Sequence, residues 1–434
     1  MEWYLGVAGV VVFLILITLG VRIGFASLIG GLVSFMLVYH GNLNIVGGAI
    51  AATFWEESRH YSLTVIPLFI FMGYLIFYSG LGKAIFVTAL AWFGRLPGGL
   101  AVATVIGNAF FGAVSGSSTA AVALFSKIAA PEMDKYGYAK ELSLGSIATA
   151  GAMANLIPPS TLIVVYGMLA EQPIGKVLVA GFIPGIVEAA IFSLMIVTRC
   201  ILNPRLAGPG PRTSWLQKII SLKGVIPVLM IMVILIGGMY NGIFTPTEAG
   251  AWSAFTAIVY VIISQRGFKW ETFRNALIDS ARTTAMIFMI VIGIKVMTTG
   301  LIVSGSLKLM IDFFLSLHVS RYVLLAVVSF IYLVLGCFIG VLGMLIMTVP
   351  FIVPVLQGVG FDPIWLGIYI IVWCEIGLIT PPVGVNVYIT AQVTGNDVAK
   401  TFRAVWWFFW MEIILLFILI LFPGLATWLP SHMK

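Results

Sequence analysis

The sequence predicts an all-α polytopic membrane protein built from two inverted repeats, each holding a re-entrant helical hairpin and a helix broken at a Pro-Pro pair. Two observations carry this. The 434 residues are 61% hydrophobic and 9% charged, with a mean hydropathy of +1.12, whereas a soluble domain is roughly half apolar and a quarter charged. A motif also recurs in each half: Asn155-Leu-Ile-Pro-Pro-Ser160 is answered by Thr380-Pro-Pro-Val-Gly-Val-Asn386, and one offset of 223 aligns Pro131 with Pro354, Gly137 with Gly360, Tyr138 with Phe361, and Pro158-Pro159 with Pro381-Pro382. Adjacent prolines remove two backbone donors and break a helix. A membrane tolerates that only where the freed groups are buried in protein or line a wet cavity. Matching interruptions in two halves point to a transporter's binding site.

Apolar windows of about 20 residues predict spans near 5–20, 23–39, 63–80, 177–198, 225–239, 247–264, 283–300, 321–335 and 405–425. The first is preceded by Glu2 instead of a basic stretch and has no small-residue cleavage site, so it reads as a retained span. Four windows behave differently. Residues 100–130 are cut by Gly112-Ala-Val-Ser-Gly-Ser-Ser-Thr119 and residues 336–360 by Gly340-Val-Leu-Gly-Met344, which predicts two hairpins. Residues 142–167 and 364–390 hold the Pro-Pro pairs, which predicts half-helices joined by an unwound stretch. The more polar stretches 41–62, 203–223 and 267–280 read as loops or interfacial helices. The expected organisation is therefore N-terminal scaffold helices over 1–95, a first repeat unit over 96–200, a linker over 201–224, scaffold helices over 225–320, a second repeat unit over 321–400 and a C-terminal helix over 401–434.

Orientation follows from the basic residues. Arg199, Arg205, Arg212, Lys218 and Lys223 mark one cytoplasmic loop and Arg266, Lys269 and Arg274 the next. Lys127, Lys135 and Lys140 flank the exit of the first hairpin, whereas no Lys or Arg occurs from Gly336 to Ala399. The two hairpin bases thus face opposite sides, the pattern of alternating access. The net charge of +7 resides in loops, with no basic tract for nucleic acid. Three unpaired cysteines, Cys200, Cys337 and Cys374, exclude a disulfide framework and a transition-metal cluster.

Hairpin tips and unwound helices present carbonyls and hydroxyls, which suit a hard cation such as Na⁺. Ser115, Ser117, Ser118 and Thr119 beside Asn155 form one candidate cluster; Gly340 and Gly343 beside Thr380 and Asn386 form the other. Half-helix N-termini carry free N–H groups and positive partial charge, so they hold a carboxylate without an arginine. Among ionisable residues inside spans, Glu375 is the candidate for a structural or ion-linked role, Lys295 is expected to pair or snorkel, and Glu188 sits mid-span without a partner that sequence alone can name.

Gly112-Ala-Val-Ser-Gly-Ser-Ser-Thr-Ala-Ala121, Pro131-Glu-Met-Asp-Lys-Tyr-Gly-Tyr138, Ile157-Pro-Pro-Ser160 with Tyr166-Gly167, Ala180-Gly-Phe-Ile-Pro-Gly185 and Glu375-Ile-Gly-Leu-Ile-Thr-Pro-Pro-Val-Gly-Val-Asn386 resemble the large membrane subunit of tripartite ATP-independent periplasmic (TRAP) transporters over nearly the whole chain. The resemblance implies a bacterial inner-membrane carrier coupled to Na⁺, with no other cofactor. It implies two partners: a small membrane subunit of about four helices and a periplasmic substrate-binding protein that delivers an organic acid such as a C4-dicarboxylate or sialic acid. It also implies an elevator-type mechanism in which both hairpins and both broken helices move against a scaffold. The family roles place ions at Ser115, Ser117, Ser118, Asn155, Gly340, Gly343, Thr380 and Asn386, and substrate at Thr119, Pro158, Pro159, Ser160, Pro381, Pro382 and Gly384.

Other classes fit less well. An intramembrane serine protease needs a nucleophile beside a base, yet His40, His60, His318 and His432 fall at span ends or in loops. A pump needs a phosphate loop, and Gly82-Lys83 and Gly175-Lys176 lack its flanking residues. A re-entrant-loop channel and a stand-alone Na⁺-coupled carboxylate carrier remain as alternatives.

Overall fold

A computed structural model describes residues 3–316 and 319–433, so Glu2 and His318, used above for reading the first window as a retained span and for excluding a dyad, lie outside the described residues. All regular structure among the described residues is helical. Among the described residues five helices are long and apolar enough to cross a membrane, or up to eight if each of three bent pairs is one span.

The chain opens with α1 (Trp3–Thr18) and α2 (Ile23–Val38), followed by α3 (Leu43–Ser58), a helix within the first polar stretch that Asn42 caps by accepting from the Ile45 amide. Next, α4 (Val65–Ser79) and α5 (Leu81–Phe93) meet at 71°. Gly80, at φ 79°, makes that bend, a conformation glycine adopts without steric cost. The sequence reading had no element for α5.

The first repeat follows. Its hairpin is α6 (Gly99–Ser115) and α7 (Ser118–Lys135), and its broken helix is α8 (Lys140–Ala150), a short turn over Ala152–Asn155 and α9 (Thr161–Leu169). Then α10 (Ile174–Ala180) and α11 (Phe182–Leu202) together form a stretch long enough to span. The linker holds α12 (Trp215–Ser221), capped by Ser214 and Gln217 in a reciprocal box.

After it come α13 (Ile226–Met232), a wide turn over Val233–Gly237, α14 (Gly238–Tyr240) and α15 (Pro246–Ser264). The 35 residues of α16 (Trp270–Ser304) make it about 52 Å long at 1.5 Å per residue. That exceeds a bilayer core of about 30 Å, so much of the polar stretch 267–280 is the emergent start of a span instead of a loop. A short helix, α17 (Ser306–Ser316), precedes the second repeat.

There, α18 (Arg321–Phe338) and α19 (Val341–Gly358) form the hairpin, and α20 (Pro363–Ile379) and α21 (Val385–Thr394) the broken helix. The hairpin boundary differs from the expected 336–360. The chain breaks once, at Ile339-Gly340, so the predicted span 321–335 is the hairpin's first arm and Gly343 continues the second. The chain closes with α22 (Val398–Ala404), bent 41° from α23 (Trp406–Leu421), and α24 (Gly424–Ser431).

One layer of the fold is α1, α2 and α16 packed together. Small residues let these backbones approach as membrane helices require: a Cβ on Gly31 would lie 2.7 Å from the Met297 amide nitrogen, and one on Gly293 2.4 Å from the Gly24 carbonyl. Ser34 donates across this layer to the Gly6 carbonyl at 3.3 Å. The helices of the two repeats form the second body of packing, its core running from Phe86, Phe111 and Phe125 through Tyr166 to Phe192 and Phe408.

Candidate functional site

Each repeat brings its hairpin tip to its own break by removing side chains. Gly112 of α6 lies on the unwound stretch so closely that a Cβ would be 2.6 Å from the Ala154 Cα. Gly116, at φ 58°, turns the first tip beside the Pro159 carbonyl, 2.8 Å from where its Cβ would sit. In the second repeat Gly336 of α18 and Gly377 of α20 meet, each 2.9 Å from the Cβ the other lacks. The Val383 amide at the break donates to the Cys337 carbonyl at 3.2 Å. Both proline pairs, Pro158-Pro159 and Pro381-Pro382, are cis.

The repeats also exchange partners. The second arm of the first hairpin, α7, packs on α21 of the second break, and α19 packs on α9 of the first. Ser118 Oγ donates to Asn386 Oδ1 at 3.1 Å, and Asn386 Nδ2 donates to the Ala148 carbonyl at 3.1 Å. Asn386 thus joins the first hairpin, not Gly340 and Gly343 as the sequence grouping had it. Its side chain is fully buried, so these bonds hold it in one orientation.

The remaining candidates occupy distinct environments. Ser115 ends α6, buried, with its Oγ unpartnered; Asn155 is buried with its Nδ2 unpartnered. Ser117 accepts from the Ala120 amide at the start of α7 and lies 3.3 Å from the exposed Thr119 hydroxyl. Pro158 and Pro159 are buried, as is Ser160, which caps α9 by accepting from the Ile163 amide. The second break is open: Gly340, Pro381 and Pro382 are exposed, and nothing lies within 4 Å of a Cβ built on Gly340. Thr380 Oγ1 donates to the Ile376 carbonyl at 2.6 Å. Gly384, at φ 41°, starts α21 under the Phe402 ring. Gly343 sits within α19 against Ile23 and Ile339, a turn from the tip.

As a donor set, these residues fit a hard cation at the first tip. The buried, unpartnered Ser115 oxygen and the Pro159 carbonyl beside Gly116 are hydroxyl and backbone oxygens of the kind that such an ion takes. The helix starts of α7 and α9 at the first tip and of α19 and α21 at the second supply N–H groups for an anion.

Two ionisable clusters lie outside the tips. Lys295 of α16 pairs with Glu171 at 2.6 Å and Glu57 at 3.8 Å, beside a cavity of about 800 Å³ that also takes in His60, Lys176 and Thr247. Glu375 of α20 is buried with Glu188 of α11 and Glu412 of α23. The sequence reading singled out the first two of these carboxylates and missed Glu412, although a glutamate in the middle of an apolar window is a legible signal.

The family model for the DctM component of tripartite ATP-independent periplasmic transporters matches residues 10–425. The chain is 33% identical to the C4-dicarboxylate TRAP transporter large permease protein DctM of Pseudomonas aeruginosa, over 88% of this chain and 89% of that one. It is 29% identical to the sialic acid TRAP transporter large permease protein SiaM of Vibrio cholerae, over 95% of both. Among solved structures, the YdaH transporter of Alcanivorax borkumensis, described as having an unusual topology, superposes with a TM-score of 0.57 at 14% identity, covering 90% of this chain and 88% of that one. That last likeness is one of fold.

Proposed function

Because the chain belongs to the DctM family, the large permease component of TRAP transporters in the bacterial inner membrane, we propose that it carries an organic acid inward by Na⁺-coupled alternating access. The cargo class is a carboxylate: the relatives are named for C4-dicarboxylate and sialic acid, and the helix starts at the two breaks offer N–H groups to an anion. A small membrane subunit and a periplasmic binding protein complete the assembly, the latter delivering the substrate. The observation that carries the reading is the exchange of α7 onto α21 and α19 onto α9, which makes the two tips and two breaks one unit able to move as a body. The elevator step is this unit sliding against α1, α2 and α16, and the Lys295–Glu171 pair lies on the seam between them.

Uptake of labelled organic acid into proteoliposomes, with the small subunit present and an inward Na⁺ gradient and the binding protein each supplied or withheld, tests this. Uptake requiring both supports the tripartite carrier. Uptake with Na⁺ alone would indicate a stand-alone carrier, and flux indifferent to both a channel.

A further inference from the structure

Glu188, Glu375 and Glu412 converge from three separate helices, one carboxylate oxygen of each lying within 4.8 Å of the others. The three residues are 1%, 0% and 0% exposed. Independently of that convergence, none of their six oxygens has a hydrogen-bond partner, and no ion pair among the described residues reaches them. The surroundings supply little compensation, the Leu156 backbone amide being the one donor turned toward Glu375 among the described residues. Phe192 and Phe408 pack edge to face between α11 and α23, and the buried Cys374 precedes Glu375 on α20. Basic groups on the surrounding helices, Lys140, Lys176, Arg199 and Arg403, sit at or near helix ends.

Taking one carboxylate out of water without a partner is costly, and a membrane interior retains such groups where they bind something. Three together with every oxygen unpaired require a positive charge, from an ion or a proton, to be retained there. The spacing suits that charge, because three oxygens all within 4.8 Å of one another have a common centre at most about 2.8 Å from each, a small adjustment from the roughly 2.3–2.6 Å at which hard cations take oxygen ligands. We propose that Glu188, Glu375 and Glu412 form a binding site for a small cation, separate from the hairpin tips, which Na⁺ or a proton fills. Glu375 lies on α20 five residues before Thr380, so occupancy is felt at the second break through one rigid helix. Occupancy stands alone; only its coupling to uptake rests on the carrier reading.

The test uses the purified full-length chain and reads binding without transport. Radioactive sodium bound per chain and the infrared carboxyl bands are measured for the wild type, for Glu188→Gln with Glu412→Gln, and for Glu375→Gln. If Na⁺ is the ligand, the variants bind one ion fewer or weaken it by roughly tenfold or more, and wild-type carboxylate bands shift between Na⁺ and choline. If a proton is the ligand, Na⁺ stoichiometry is unchanged and a band of protonated carboxyls in the wild type, responsive to pH, is lost in the variants. The wild-type spectra stand even if a variant misfolds. Wild-type carboxyl bands that respond to neither Na⁺ nor pH overturn the proposal. Loss of uptake with intact occupancy would count against the carrier reading alone.

Discussion

Ser118 and Asn386, 268 residues apart, are joined by a 3.1 Å hydrogen bond that ties the first hairpin to the second break. Asn386 is fully buried and Ser118 nearly so. Replacing Ser118 with Ala leaves Asn386 Oδ1 without its donor; replacing Asn386 with Ala strands both Ser118 Oγ and the Ala148 carbonyl. Each loss of a buried partner costs about 1–3 kcal/mol, with N386A the larger. Thermal unfolding of the two single variants and the double variant checks this, and a double-mutant coupling near zero would show the bond contributes nothing.

Sodium dependence reports on the same tip. Under the proposed Na⁺ coupling, Ser117→Ala and Asn155→Ala would remove side-chain oxygens from the proposed ion site without adding volume, so the expected outcome is a several-fold rise in the Na⁺ concentration for half-maximal uptake with folding retained. Unchanged Na⁺ activation in both variants removes these residues from the ion site.

Much of this was legible in the sequence, and the reason is periodicity. The offset of 223 exposed the repeat because each copy must break its helix at the same depth, and prolines record that directly. Which residues meet across the repeats was not legible. Ser118 and Asn386 each sit beside their own repeat's motif in sequence, and only the packing of α7 on α21 pairs them. The second hairpin breaks at Gly340, the first residue of the small-residue stretch 340–344, and Gly343, where a Cβ would meet Ile23 and Ile339, continues the second arm; sequence alone did not tell the two glycines apart. The carboxylate cluster was hidden because Glu188, Glu375 and Glu412 lie on windows far apart in sequence, each apolar enough to read as an ordinary span.

The close glycines predict a steric block. At Gly336 a side chain meets the Gly377 backbone at 2.9 Å, with no flexible atom to give way. Gly336→Leu is expected to prise α18 from α20, destabilising the second hairpin by a few kcal/mol, in the range of overpacked interiors, and abolishing uptake. Gly340→Ala, where a Cβ meets nothing, should leave stability within about 0.5 kcal/mol. Equal losses in the two variants would contradict the packing at Gly336.

The opposed orientation of the repeats is tested by accessibility. Lys135 ends α7 and Gly358 ends α19, both exposed and at equivalent places in their hairpins. A cysteine at Lys135 should react with an impermeant reagent only from the cytoplasmic side and one at Gly358 only from the periplasmic side. Labelling of both from one face would sink the inversion.

Lys295 supplies the last prediction, because it joins α16 to the repeat unit that is proposed to move against it. Its Nζ lies 2.6 Å from Glu171, which is held at φ 54°, and 3.8 Å from Glu57. Glu171 is largely exposed, so the pair adds at most about 1 kcal/mol to stability. Its weight falls on position. If the repeat unit slides along α16, this pair breaks in every cycle. Lys295→Ala should shift the resting balance between states and change uptake several-fold with little change in unfolding temperature. Cysteines at 171 and 295, once oxidised, should stop uptake and restore it on reduction. Full activity in the cross-linked protein would show that α16 and the α9–α10 loop do not move apart.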